Sequence, residues 1–424
     1  MKPAIRKRMK TTSILANPAR NRLRLRQWLL TGTIFCGLAA FQPVWAQTQT
    51  YPRTWQQVFP SSNPPQSLDF AMAYDEARRV VVLFGGYNWD TSGYGSGTWT
   101  WDGQAWSLVT LFGPSQRESA KMVYDSERRV CVLFGGDTVD GLAVSETWEW
   151  GGTSWQLRTT NGPPPTLYHA MAYDKVRKRT VLYGGNPCPT CGNYPTHTWE
   201  WDGQQWLRVS TNGPPRRGNT AMAYDEARQR IVLFGGASTI STNWFNDTWT
   251  WDGIVWSQMP ALGPGARADH AMTYDPDRGT VLLFGGQTQA NDRDNSTWEW
   301  DGSQWLQHIL SVSPVYRGNH GLAYDAARNE IVLYGGFSPF NPSLHDTWLL
   351  RLVETWVDFN YPGLPFFSET GALLSPYNTL AEGVNAAPAA SFLSIKPGKG
   401  NEPITITKSL KLRAPLGPVT IGAP

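Results

Sequence analysis

The chain has 424 residues, twice the length of an ordinary domain, so it is either one large repeat domain or two smaller ones. Tryptophan (22 residues), glycine (41) and proline (31) are plentiful and charged residues make up only 17%, a balance that favours short strands and tight turns over helices. Nine of the 37 Lys and Arg precede Gln47, leaving 28 against 34 acids. The remainder therefore carries a net charge of −6, which gives no electrostatic ground for a nucleic-acid partner.

In chain order, residues 1–46 read as a signal peptide. A basic leader runs from Lys2 to Arg26, an apolar run from Trp28 to Phe41, and Val44-Trp45-Ala46 offers a cleavage site before Gln47. The apolar run is short for a membrane span, and an uncleaved anchor is the alternative. Export to the periplasm or the exterior is the expectation.

From there three markers recur in register. Gly-Gly pairs begin at Gly85, Gly135, Gly184, Gly235, Gly285 and Gly335, in steps of 49 to 51 residues. Tyr-Asp begins at Tyr74, Tyr124, Tyr173, Tyr224, Tyr274 and Tyr324. Thr-Trp begins at Thr98, Thr147, Thr198, Thr248, Thr297 and Thr347. Each repeat reads as four strands. Strand A ends in Met-Ala-Tyr-Asp, as at Met222 to Asp225. Strand B is an apolar run closed by the glycines, as in Ile231-Val232-Leu233-Phe234, and its unbroken apolar character implies burial on both faces. Strand C alternates, as in Thr248-Trp249-Thr250-Trp251, so its tryptophans share a face that fills the gap to the next sheet. Asp252-Gly253 then turns into strand D, which carries Trp256.

This pattern resembles the kelch family of β-propellers, central-domain-like to galactose oxidase, over about Trp55 to Phe359. Matching residues in one repeat are Arg317 and His320, Leu333-Tyr334-Gly335-Gly336, and Asp346-Thr347-Trp348. The resemblance implies an all-β fold, a six-bladed propeller of four-stranded antiparallel blades over 47–359, probing many roles across the family rather than fixing one. The segment Thr54 to Val58 looks like a strand D that closes the ring. The sixth repeat also has its own late Trp356 but no Asp-Gly turn, so the closing segment stays open, and a seventh blade built from the two ends is the alternative. Residues 360–424 break the pattern. Their short alternating strands resemble the opening rungs of a pectate-lyase-like right-handed β-helix, with a short helix opening near Asn378 or Thr379.

Cys188 and Cys191, in Cys-Pro-Thr-Cys, suit a small loop disulfide in an oxidising compartment better than a metal site, with free thiols as the remaining alternative. Cys131 reads as a core residue. No metal and no cofactor is expected.

The B–C and D–A loops share one face, and the long B–C loops carry aromatics outside the repeat pattern: Tyr87, Trp89, Tyr94, Tyr194, Trp244 and Phe245. Before strand A, equivalent positions hold Arg117, Arg217, Arg267 and Arg317, then Asp69, Ser119, Tyr168, Asn219, Asp269 and Asn319, then His169, His270 and His320. The arginines either grip a carboxylate at the channel or, with the histidines, tie blades together. No nucleophile arrangement, phosphate loop or zinc-protease motif is present. The expectation is a non-enzymatic, monomeric scaffold that recognises a glycan or an extracytoplasmic protein, with a membrane involved only if the leader stays uncleaved. The alternative, implied by the family, is a sialic-acid mutarotase-like enzyme for a carboxylated sugar. A third role is assembly through the tail. The copper and Cys–Tyr site of galactose oxidase has no residue-by-residue match.

Overall fold

An isolated four-stranded blade has two apolar faces and covers neither, so repeats of this kind gain stability only by stacking on one another. The computed structural model describes residues 53–65, 67–88, 91–187, 196–238, 243–260, 263–289, 294–339, 341–357, 377, 380–387, 392–395, 398–400, 411–413 and 419–421. It is a six-bladed β-propeller, each blade one antiparallel four-stranded sheet. The first blade pairs Ala71–Asp75, Val80–Phe84, Thr98–Trp101 and Trp106–Thr110 in that order, from inside to outside. Strand B is the buried spine, and Val81, Val132, Val181, Ile231, Val281 and Ile331 are all without exposure.

The ring closes through the N-terminal segment. In the sixth blade Gly321–Asp325, Glu330–Ser338 and Asn341–Leu352 are completed by Arg53–Val58, with Trp55 opposite Leu350. The late Trp356 belongs instead to Glu354–Val357, which pairs in parallel with Phe392–Ile395 of the tail. The sixth repeat lacks Asp-Gly because its C strand continues to Leu352 with no hairpin to make. Among the described residues there are six four-stranded sheets, and the two ends do not build a seventh.

Three sets of bonds run around the ring and account for the sequence markers. Each strand-D tryptophan donates its indole N–H to the threonine of the Thr-Trp pair in strand C of the preceding blade. The pairs are Trp106–Thr347, Trp155–Thr98, Trp206–Thr147, Trp256–Thr198, Trp305–Thr248 and Trp55–Thr297, at 2.8 to 3.1 Å. Trp55 thus occupies the strand-D place of blade six in bonding as well as in pairing. The second glycine of each pair donates its N–H to a carbonyl of the next blade, from Gly86 to Arg117 through to Gly336 to Ser67. The first glycine is fixed by the same close approach: a Cβ on Gly85 (φ +76) would lie 2.5 Å from the Arg117 carbonyl oxygen. The third set circles the axis and belongs to the site described below. On the opposite face, the Tyr-Asp marker works locally. The Tyr124 hydroxyl accepts the Ala77 N–H of the preceding blade, while the Asp75 carboxylate accepts the Arg78 N–H and closes its own turn.

Cys131 is fully buried among Ala71, Phe84 and Trp150. In the tail a short helix covers Leu380–Ala386, where a helix was expected, and the strands Phe392–Ile395 and Lys411–Arg413, and Gly398–Gly400 and Val419–Ile421, pair in parallel. The leader, Cys188 and Cys191, and the helix-cap residues Asn378 and Thr379 lie outside the described residues. No helix among the described residues is long and apolar enough to cross a membrane.

Candidate functional site

The chain enters each strand A through one residue with a left-handed backbone: Asp69, Ser119, Tyr168, Asn219, Asp269 and Asn319, with φ between 55° and 61°. Asn and Asp tolerate this region best among residues with a side chain, and they fill four of the six places. At five of the six the twist turns the N–H toward the carbonyl of the preceding blade. The bonds Asp69 to Asn319, Ser119 to Asp69, Asn219 to Tyr168, Asp269 to Asn219 and Asn319 to Asp269 are 2.7 to 3.1 Å long. They link the six residues around one mouth of the central channel.

That mouth opens into a cavity of about 620 Å3 on the face shared by the B–C and D–A loops. Asp69, Glu118 and Asp269 supply carboxylates, Asn219, Asn319 and Gln287 supply amides, and Tyr87, Tyr94, Tyr168 and Phe337 supply rings. Tyr87 and Tyr94 face each other across a small two-stranded ribbon in the first B–C loop, edge to face with centroids 5.1 Å apart. Asn319 donates from Nδ2 to Asp69 Oδ2 at 3.0 Å. Burial pushes the Asp69 carboxyl up to about 6, with the Lys121 ammonium pulling it partly back. Burial, and then the charge of Asp69, push Asp269 up to about 7. Burial, followed by Asp69 and Asp137, does the same for Glu118, also to about 7. Asp137 sits directly opposite Glu118 in a short strand pair, so two like charges are held side by side. Among the described residues none of Asp69, Glu118 and Asp269 has a salt-bridge partner.

The arginines lie elsewhere. Arg117, Arg217, Arg267 and Arg317 are fully buried inside their own blades, and none lines the mouth. Each donates from Nη1 to the first-glycine carbonyl of its blade, at 2.9 to 3.1 Å, and pairs with the acid before its Thr-Trp. The partners are Glu146, Asp247, Asp294 and Asp346. The Arg217–Asp247 pair is bidentate at 2.5 and 2.8 Å, and the Phe245 ring, expected as a free loop aromatic, caps Arg217 with its centroid 4.0 Å from the guanidinium carbon. The arginines therefore fasten each blade to its own B–C loop, and these four are not available to a carboxylated ligand.

The histidines do bridge blades. His169, His270 and His320 set their rings edge-on against Phe134, Phe234 and Phe284 of the preceding blade. Burial pulls His169 and His270 down to about 3 and His320 well below its ordinary value, so all three are neutral near pH 7. His270 and His320 also border a narrower chamber of about 130 Å3 in the channel, with Lys121 and a ring of methionines. The far end of the channel is bordered by tyrosines, and Lys175 reaches there to both Glu76 and Glu226 at 2.7 Å.

Of the residues singled out in the sequence, Asp69, Asp269, Asn219, Asn319, Tyr87, Tyr94 and Tyr168 meet at the mouth. Trp244 is half-buried in its B–C loop, bridged to Ala237, and is not part of the mouth. Trp89 and Tyr194 lie outside the described residues. Sequence reasoning missed Glu118 and Lys121. A signal for both was present: Glu118 stands where the other repeats have Leu68, Leu167, Gly218, Ala268 and Gly318, and Lys121 where they have Ala or Gly. Among the described residues no group of His, Cys, Asp and Glu is arranged to hold a metal ion. No protein-family model matches the chain, and a search of curated proteins finds no match.

Proposed function

We propose that this protein is an exported kelch-type recognition module that takes its ligand at the loop-face mouth of the propeller and performs no chemistry on it. The observation that carries this reading is the mouth cavity itself, where side chains from different blades converge on one space. Its walls combine aromatic faces with hydrogen-bonding groups, the make-up of a small-ligand site. A rigid ring beneath variable loops is the arrangement in which recognition is usually written. The kelch assignment rests on the glycine pair, the arginine and histidine before strand A and the late tryptophan: the glycines, arginines and tryptophans each make a repeated hydrogen bond, and the histidines a repeated ring contact. The parallel strands of the tail, with Phe392 facing Lys411 and Gly398 facing Val419, support the likeness to β-helix rungs.

The mutarotase-like alternative needs free arginines for a carboxylated sugar. The four candidates are held in buried ion pairs, and the mouth offers carboxylates instead, which favours binding without that chemistry.

Thermal-shift measurements on the protein with neutral sugars, acidic sugars, amines and divalent metals test the reading. At least one class should raise the melting temperature, and Tyr94→Ala should abolish the rise while Lys175→Ala, at the far end of the channel, preserves it. A ligand whose effect is untouched by Tyr94→Ala but lost in Lys175→Ala would move the site to the other face. Mutarotation of a bound acidic sugar would restore the enzyme reading.

A further inference from the structure

Six equivalent positions ring the mouth, and their backbone explains only part of what occupies them. A left-handed residue favours Asn and Asp alike, and Asn219 and Asn319 show that the amide meets the local need. At Asp69 and Asp269 the chain carries a carboxylate instead, and at Glu118 it places a third where the other repeats have an apolar residue or glycine. Asp69 is more than nine-tenths buried and borders the cavity. Burying carboxylates without counter-charges is costly, and here no described cation pairs with any of the three. Lys121, the one ammonium bordering the chamber below, acts on Asp69 and Asp269 only at longer range, with no ion pair. Tyr87, Tyr94, Tyr168 and Phe337 add aromatic rings around the same space.

Anionic oxygens and aromatic faces converging on one cavity are what an organic cation requires. Its charge answers the carboxylates, its alkyl groups lie on the rings, and the ring quadrupole attracts it further. A neutral sugar would use the rings and amides but leave the carboxylates uncompensated. A hard metal ion would use the oxygens but not the rings. We infer that the mouth binds a small molecule through an alkylammonium group seated between Asp69, Glu118 and Asp269 and faced by Tyr87, Tyr94 and Tyr168. This rests on the reading of the mouth as a ligand site and names the chemistry it selects.

The test is calorimetric titration of the protein with tetramethylammonium, choline, glucose, glucuronate and calcium. The two ammonium probes should bind and the other three should not. The Asp69→Asn/Asp269→Asn double variant places at both positions the amide that blades four and six already carry, so the ring should still form. It should weaken choline by about tenfold or more, the loss of roughly 1.4 kcal/mol. Tyr94→Phe, which keeps the ring face, should bind choline nearly as the parent does, and Tyr94→Ala should not. Glucose or glucuronate binding at the mouth, without ammonium binding, would overturn this inference and leave the recognition reading standing. Calcium binding lost in the double variant would overturn it in favour of an ion site. If none of the five probes binds and Tyr94→Ala is silent with every ligand class of the thermal screen, both readings fall together.

Discussion

At the scale of single residues, the mouth acids and the blade arginines make opposite statements about stability. Asp269 is held near 7 in the fold against about 3.9 for an unfolded chain. A carboxyl whose folded value is raised binds its proton more tightly in the native state, so stability falls as pH rises between those values, and the full penalty is present above 7. Asp269→Asn should therefore melt above the parent at pH 8, with the difference shrinking toward nothing near pH 4; a pH series of melting curves checks it. Arg217 is the reverse case. Its guanidinium is buried, paired with Asp247 and capped by Phe245, and removing one partner of such a pair leaves a buried charge behind. Arg217→Ala should cost about 3–5 kcal/mol in denaturant unfolding. The sequence displayed the arginines plainly, because they recur at one position in four repeats. It did not display their partners, since each acid lies some thirty residues on, in a loop of variable length, and proximity there is set by the fold. What spacing could not decide, whether the guanidinium points to the channel or into the blade, is decided by the glycine carbonyl that accepts its hydrogen bond.

At the scale of strands, the same logic explains which elements were legible. Period-2 alternation, the apolar B strands and the Asp-Gly turns each depend on neighbours close in sequence, and all were readable. Ring closure depends on a pairing between residues 53–58 and 347–352, and two segments with a tryptophan competed for it. The deciding feature is a bond. Trp55 donates to Thr297 at 3.1 Å as its five counterparts donate to theirs, and Arg53, buried beside it, binds Asp275 of blade five at 2.9 Å. No Asp-Gly turn exists in blade six to receive an arginine from blade five, as Gly103 of blade one meets Arg328, and Arg53 takes over that junction. Trp55→Ala removes a fully buried ring and leaves the Thr297 hydroxyl without its donor. It should cost about 3–5 kcal/mol, and Trp55→Phe about 1–2 kcal/mol through the lost bond, both measured by chemical denaturation.

At the scale of the whole molecule, the propeller is a closed circle in which every blade covers the faces of two others, so its stability depends on the one junction made by distant parts of the chain. Removing residues 47–58 takes away the outer strand of blade six, the Trp55–Thr297 bond and the Arg53–Asp275 pair together. It also bares the hydrogen-bonding edge of Asn341–Leu352, and an unpaired edge of that length invites association between copies. Cutting after Val353 touches none of the twenty-four strands of the six blades, because Glu354–Val357 pairs only with the tail. The two truncations therefore separate ring closure from chain length. The form lacking 47–58 should lose its cooperative melting transition and elute as aggregate in size-exclusion chromatography, whereas the form ending at 353 should melt within a few degrees of the full chain. Were the C-terminal cut the more damaging of the two, the tail would be holding the ring, and the bonds of Arg53 and Trp55 would be secondary. The mouth lies over the axis, with walls drawn from blades one, two, three, four, five and six, so an opened ring also dissolves the cavity. Ligand binding in the form ending at 353, and its loss in the other, would tie recognition to the closed circle and to no single blade.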